Sequence, residues 1–432
     1  MSNAVLLICL NPNKISSLTS IFLAMVTLMT FALGGTMEQK LASNNFLIED
    51  NFEVAPAVRI VNDLLQLALV KRASDIHGDP LSDTLRISMR VDGVLEEVVR
   101  LPADISSNII ARIKILSRLD TTERRLPQDG KFSVETDNGI IDVRVATFPT
   151  IFGERFVLRI LDRFTQLVSL EESGMSSDMI MQLRELLNRD HGFFLVTGPT
   201  GVGKTTTLYA LLKELQHQGK TIVTLEDPVE YTLEGISQGQ INQEIGFTFA
   251  RGLKALVRHD PDVIFVGEIR DEETARIAIQ ASLTGHIVLS TLHTGDAVSA
   301  VARLIDMGIE PFLINASLSG VLAQRLVKRL CDVCKIKDET AMLTCGAFPE
   351  IYSCWIGQGC DTCEKRGFKG RIGIFELCVP SSDFKSMVAV KQDITLLTKQ
   401  AINDGMQLLV NDAAKKVSNG LISAEEVIRL VA

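Results

Sequence analysis

Residues 192–215 read GFFLVTGPTGVGKTTTLYALLKEL and place three signals in a fixed order. The short apolar run FFLVT predicts a buried strand, and TTLYALLKEL predicts a helix. Between them, residues 198–205 match the complete pattern of a phosphate-binding loop. The glycines of such a loop let backbone N–H groups turn inward at the start of a helix, where they bind phosphate. A glycine-rich turn with an unrelated lysine is the alternative, but it does not explain the strand and helix on either side.

Each position of this loop has an expected task. The Lys204 ammonium should reach the β- and γ-phosphates, and the Thr205 hydroxyl should ligate Mg²⁺. The predicted nucleotide-binding residues are those of the loop and the first helical turn: Gly198, Pro199, Thr200, Gly201, Val202, Gly203, Lys204, Thr205 and Thr206.

Carboxylates follow two further predicted strands. TIVTLED ends at Glu226 and Asp227, and VIFVGE ends at Glu268. Because open α/β sheets bind ligands at the carboxyl ends of their strands, we expect these acids near the loop. One carboxylate could hold Mg²⁺, with Glu268 the candidate, while another polarises the attacking water. For Glu230, one turn further on, an ordinary solvated acid is an equally good interpretation.

A fourth apolar run, HIVLSTLH, ends at His293, whose imidazole could donate to a γ-phosphate oxygen. Alternation of such runs with helical patterns from about residue 170 predicts a parallel, doubly wound sheet. Upstream, two helical patterns, two hairpins and one further strand predict a small α+β domain.

Four of the eight cysteines form two Cys-x2-Cys pairs separated by 25 residues: Cys331, Cys334, Cys360 and Cys363. This spacing is close to that of a tetrahedral zinc ribbon, and no open coordination position is evident, so a structural zinc is predicted. Four unrelated core cysteines are the alternative.

The composition limits the class of protein. Apolar residues make up 46% of the 432 residues and charged residues 22%, so the chain can bury substantial cores. Its net charge of −9 argues against wrapping DNA or RNA as its main task, and we predict no specific nucleic-acid partner.

Longer stretches carry a family resemblance, among them ASDIH, RLPQDGKFS, TLEDPVEY, RHDPDVIFVGEIRD, TGHIVLSTLHTGDA and GVLAQRLVKRLC. From about residue 57 to the C-terminus the chain resembles the type II secretion ATPases (general secretory pathway protein E), within the secretion and type IV pilus assembly ATPases. The resemblance implies an α/β fold: a RecA-like P-loop ATPase core with a preceding small α+β domain and an inserted four-cysteine zinc subdomain. The predicted divisions are 1–56 (apolar segment and linker), 57–165 (α+β domain), 166–327 (core), 328–372 (tetracysteine subdomain) and 373–432 (helical region).

The resemblance also implies a function. The chain would form a cytoplasmic homo-hexamer at the inner membrane, with ATP, Mg²⁺ and Zn²⁺ as its cofactors. The hexamer would work with membrane platform proteins to assemble a pseudopilus and export proteins. Glu226 becomes the candidate for activating water, Glu268 the Walker B acid and His293 the His-box residue. Arginines expected near the phosphates or the subunit interface are Arg144, Arg159, Arg258 and Arg270, since guanidinium groups stabilise charge on a transferring phosphoryl group.

Two other functions remain open at this stage. One is a related motor for type IV pili or DNA uptake, against which the tetracysteine insert and phrases such as FARGLKAL argue. The other is a scaffold that binds nucleotide without turnover, against which the intact Lys204, Glu226, Glu268 and His293 argue.

The N-terminal segment 15–37 contains no charged residue and is long enough, as a helix of about 34 Å, to cross a bilayer core of about 30 Å. Its many Ser, Thr and Gly residues dilute its apolar character, and no basic cluster precedes it. We therefore expect Met37 to be the start of the working polypeptide and attachment to the membrane to be peripheral. A genuine anchor is the alternative.

Overall fold

A computed structural model describes residues 56–136, 139–161, 168–342 and 353–431. The chain divides into two compact units, one before and one after residue 164. Each unit has its own hydrophobic core. The apolar run 15–37 lies outside the described residues. Among the helices of the described ranges, none combines the length and the apolar character needed to cross a membrane.

The first unit is an antiparallel sheet with helices packed on one face. Its strand order is β3-β2-β1-β6-β5-β4. Apolar residues of the first helix, such as Leu64, pack with alternate strand residues, such as Ile76 and Phe156, in one core. The elements are α1 (Pro56–Val70), β1 (Ala73–Pro80), β2 (Thr84–Val91), β3 (Val94–Pro102), α2 (Ser106–Leu116), β4 (Gln128–Thr136), β5 (Gly139–Thr150) and β6 (Gly153–Leu161).

The second unit is built on a seven-stranded sheet of order β15-β12-β7-β11-β10-β8-β9, in which all neighbours except β12 and β15 are parallel. Its strands are β7 (Gly192–Thr197), β8 (Ile222–Glu226), β9 (Ser237–Gln240), β10 (Val263–Val266), β11 (Ile287–Leu292), β12 (Leu318–Leu330) and β15 (Phe368–Cys378). Its helices up to β12 are α3 (Ser177–Leu187), α4 (Lys204–Gln216), α5 (Phe249–Leu256), α6 (Glu272–Leu283), α7 (Ala297–Asp306) and α8 (Pro311–Ser317).

Burial explains why the central strands lack an alternating pattern. Every residue of β7, β10 and β11 is buried. Apolar side chains of α3 and α4 pack on one face of the sheet, and those of α5 to α8 pack on the other. A parallel sheet covered on both faces requires continuous apolar strands, and this confirms the predicted doubly wound α/β fold.

The two cysteine pairs lie at the end of the sheet where β12 ends and the edge strand β15 begins. A small hairpin of β13 (Lys335–Met342) and β14 (Ser353–Gly357) lies between the pairs in sequence. The predicted boundaries at 327/328 and 372/373 fall inside β12 and β15, because these strands pair continuously from Val321↔Cys378 to Lys328↔Arg371 as part of the main sheet. Four helices close the chain: α9 (Ser382–Ala389), α10 (Ile394–Asn403), α11 (Leu409–Ser418) and α12 (Ala424–Val431).

Candidate nucleotide site and cysteine cluster

Three neighbouring strands end at the same edge of the second sheet. In the order β7-β11-β10 they are parallel, and their last residues are Thr197, Leu292 and Val266. The phosphate-binding loop, His293 and Glu268 directly follow these ends. The three candidate groups therefore lie at one edge of the sheet, the edge where open α/β sheets hold their ligands.

The loop from Gly198 to Gly203 joins β7 to α4. Gly201 and Gly203 have φ of 80° and 84°, a left-handed conformation that favours glycine. The Lys204 ammonium folds back over the loop, where it donates to the carbonyl oxygens of Gly198 at 2.7 Å and Pro199 at 2.9 Å. Burial lowers the pKa of Lys204 to about 8, a value to which the positive charge of Arg325 also contributes.

Lys204, His293 and Glu268 form a continuous polar chain. The Lys204 Nζ atom lies 3.4 Å from His293 Nδ1, and His293 Nε2 lies 3.3 Å from Glu268 Oε2. Because an ammonium group can only donate, Nδ1 must accept in this arrangement. The imidazole then carries its hydrogen on Nε2 and donates it to the Glu268 carboxylate.

Glu268 has a second partner on its other oxygen. Arg270 donates to Glu268 Oε1 at 2.5 Å, and its guanidinium also lies 3.7 Å from Asp227 Oδ2. Although burial works in the opposite direction, Arg270 and His293 hold the pKa of Glu268 below its ordinary value. The carboxylate is therefore ionised at neutral pH, which a Mg²⁺ ligand requires.

Glu226 lies in a different environment from the one expected for a water-activating base. Glu226 is 2% exposed, and its carboxylate accepts hydrogen bonds from the Tyr209 hydroxyl, from Thr224 Oγ1 at 2.6 Å and from Gln238 Nε2 at 3.0 Å. Burial raises the pKa of this carboxyl group. The structure thus places Glu226 at the end of β8, where its hydrogen-bond partners come from α4, β8 and β9.

The other predicted residues are distributed over both units. Thr205 is half-buried in the first turn of α4, and Arg258 is exposed just after α5. Arg144 and Arg159 lie side by side on β5 and β6 of the first unit, where Arg159 Nε donates to Asp75 Oδ1 at 2.9 Å.

Two residues of β12 also belong to the loop's surroundings, and no role was assigned to them from the sequence. Gln324 donates from Nε2 to the Val202 carbonyl oxygen at 2.5 Å, and Arg325 donates to the Gly295 carbonyl oxygen at 2.7 Å. Their only sequence signal was the phrase GVLAQRLVKRLC, whose polar pair interrupts an apolar strand.

The four paired cysteines meet at one point. Their sulfur atoms all lie within 4.8 Å of one another, and Cys331 and Cys363 are buried. The backbone nitrogen atoms of Cys360 and Gly367 each lie 3.2 Å from the Cys363 sulfur and donate hydrogen bonds to it. Burial raises the pKa of Cys363, but these and other hydrogen bonds outweigh it and lower the pKa to about 6. Four sulfur atoms at this spacing, one of them predisposed to ionise, fit a tetrahedral Zn²⁺ site. The spacing argument from sequence therefore brought the correct four residues together.

A complete phosphate-binding loop, with a carboxylate and a histidine at the neighbouring strand ends, defines the class of P-loop ATPases. The model of the family described as type II/IV secretion system protein matches residues 50–429, and the chain belongs to that family. It is an ATPase of the secretion type, as the resemblance predicted.

Similar proteins include two named secretion components. Type II secretion system protein E of Pseudomonas aeruginosa is 46% identical over 380 residues, which cover 87% of this chain and 76% of that protein. Type II secretion system ATPase E of Vibrio cholerae is 44% identical over 406 residues, which cover 91% of this chain and 79% of that protein.

Among solved structures, the Legionella pneumophila ATPase DotB matches with a TM-score of 0.66 and 20% identity, over 88% of this chain and 98% of that one. The pilus retraction motor PilT with bound ADP matches with a TM-score of 0.58 and 24% identity, over 85% of this chain and 96% of that one. At these identities the likeness concerns the fold alone.

Proposed function

We propose that this ATPase powers pseudopilus assembly and protein export by a type II secretion system, as a cytoplasmic homo-hexamer held peripherally at the inner membrane by platform proteins. The names of the relatives and the length over which they match support this assignment. The proposal that the protein hydrolyses ATP rests on the contacts that connect Lys204, His293 and Glu268. A scaffold that binds nucleotide without turnover would not need an ionised acid connected to the loop lysine through a histidine.

The roles divide as follows. Backbone N–H groups of the loop and the Lys204 ammonium bind the phosphates, while Thr205 and Glu268 hold Mg²⁺. His293 would donate to a γ-phosphate oxygen from whichever ring nitrogen carries its hydrogen. Charge that develops on the transferring phosphoryl group is stabilised by guanidinium groups: Arg144, Arg159, Arg258 and Arg270.

Glu226 is proposed as the group that polarises the attacking water. Its hydrogen bonds to Tyr209, Thr224 and Gln238 occupy both carboxylate oxygens. The proposal therefore requires that nucleotide binding releases the carboxylate from at least one of these partners.

Assembly is tested by measuring ATP turnover against oligomer size. Purified protein is separated by size, and phosphate release is measured in each fraction, with and without the cytoplasmic part of the inner-membrane platform partner. We expect turnover per chain to be highest in the hexamer fraction and to rise further with the partner. Equal turnover in monomer and hexamer fractions would contradict the ring mechanism but leave the ATPase assignment intact.

The cysteine cluster is proposed to hold one structural Zn²⁺ per chain on Cys331, Cys334, Cys360 and Cys363. Cys331→Ser should reduce bound zinc from one to nearly none per chain and make residues 328–372 the first region to unfold, because a structural zinc site contributes folding free energy directly. Metal analysis of unchelated protein and limited proteolysis measure the two effects.

Cys378→Ser is the matched control, because Cys378 is equally buried on β15 but lies outside the cluster. It should keep its zinc. Wild-type protein without zinc, or full zinc content in the Cys331 variant, would count against the site.

A further inference from the structure

Strand β12 runs past the end of its neighbour and alongside the phosphate-binding loop. It pairs with β7 in parallel up to Ala323↔Thr197, where β7 stops, and itself continues to Leu330. Gln324, the next residue, therefore lies beside the loop backbone. The approach is close, because a Cβ atom built on Gly198 would lie 2.5 Å from the Gln324 carbonyl oxygen, and one on Gly203 would lie 3.3 Å from Gln324 Nε2.

Gln324 is 2% exposed, and both the nitrogen and the oxygen of its side-chain amide form hydrogen bonds. Nε2 donates to the Val202 carbonyl oxygen at 2.5 Å, and Oε1 accepts from Thr207 Oγ1 at 2.8 Å. One buried amide thus connects the last peptide of the loop to the second turn of α4. Because an unpaired buried polar group is costly, these two bonds fix the orientation of the Val202 carbonyl group strongly.

The orientation of that carbonyl group has a consequence for phosphate binding. The Val202 oxygen and the Gly203 N–H group belong to one planar trans peptide, so they point in opposite directions. Since Gln324 holds the Val202 oxygen on the β12 side, the Gly203 N–H group is directed away from Gln324. Backbone N–H groups at this position, at the start of a helix, are the donors that bind phosphate.

We propose that Gln324 is a positioning residue of the nucleotide site, which holds the Val202–Gly203 peptide so that the Gly203 N–H group faces the phosphates. The inference rests on the assignment of residues 198–205 as the nucleotide site. Gln324 does not touch the nucleotide, and the N–H group it orients contacts the phosphates throughout the reaction. Its loss should therefore weaken binding of substrate and transition state alike, which raises KM and leaves kcat unchanged.

Gln324→Met keeps the approximate side-chain volume and removes both hydrogen bonds. In the full-length protein we expect the Kd for a fluorescent ADP analogue to rise by about tenfold, the scale of one buried hydrogen bond with its partner left unpaired. The KM for ATP should rise in parallel, while kcat at saturating ATP stays within about twofold of wild type.

Ser319→Ala is the matched control. Ser319 begins the same strand and donates from a buried hydroxyl to the Phe193 carbonyl oxygen at 3.0 Å, far along β12 from the loop. The control should lower the melting temperature by a similar amount and leave the Kd unchanged. Gln324→Asn, which is too short to reach Val202 but remains polar, should reproduce the loss of affinity and serves if the Met variant does not fold.

A Kd within twofold of wild type in folded Gln324 variants would overturn the proposal, as would a fall in kcat with an unchanged Kd. Failure of the nucleotide-site assignment itself has a different signature: Lys204→Ala would then bind and hydrolyse ATP normally.

Discussion

Lys204→Ala is expected to abolish ATP hydrolysis while the protein remains folded. The ammonium group is the one cation of the loop sequence 198–205, and it contacts the carbonyl oxygens of Gly198 and Pro199 and the His293 ring. With nucleotide bound, it neutralises charge on the β- and γ-phosphates as the terminal bond breaks. Removal of one preorganised electrostatic group typically lowers kcat by about 10²–10³-fold, and a group with a full charge should reach at least the upper end.

Phosphate release at saturating ATP measures this loss, and secretion in a strain that carries only the variant measures its consequence. The control is Lys213→Ala, which removes an exposed lysine from the last turn of the same helix. It should keep wild-type turnover. Turnover near wild type in the Lys204 variant would invalidate the P-loop assignment. If circular dichroism shows that this variant does not fold, Lys204→Gln takes its place.

Glu268→Gln should separate nucleotide binding from hydrolysis. Arg270 and His293 keep the pKa of this carboxyl group low, so the site holds a full negative charge at neutral pH. The amide of Gln keeps the shape but removes the charge that positions Mg²⁺, while the loop that binds the phosphates is untouched. We expect kcat to fall by about 10²–10³-fold and the Kd for ATP to change by less than about threefold.

Single-turnover hydrolysis and equilibrium binding of an ATP analogue give the two numbers. Glu273→Gln is the control, because Glu273 is an exposed acid on α6 that pairs with Lys254 and lies outside the chain of catalytic candidates. A Glu268 variant that fails to bind nucleotide would show that the residue supports the loop rather than the metal. Full activity would remove it from the catalytic group.

The sequence by itself determined the local parts of the site. The strand and the helix on either side of the loop 198–205 lie where the sequence predicts them, Glu226 and Glu268 lie at or just beyond the ends of β8 and β10, and the four paired cysteines lie together. The loop and each Cys-x2-Cys pair consist of residues that are close in the chain, so their spacing in the sequence is enough to identify them. The α/β alternation likewise predicted the sheet, because a strand covered on both faces must be apolar throughout.

Other features were decided only by the tertiary structure. Gln324 reaches the loop across a separation of 122 residues, and the Lys204–His293 contact spans 89 residues. Glu226 and Glu268 look alike in sequence, since each follows a buried strand, yet one is enclosed by three hydrogen-bond donors and the other joins His293 and Arg270. The physical reason is that the order of strands in the sheet, and not their order in the chain, determines which side chains meet. β12 and β11 flank β7, while β8 lies two strands beyond β11. That order depends on how helices and strands pack as a whole, which no local spacing encodes.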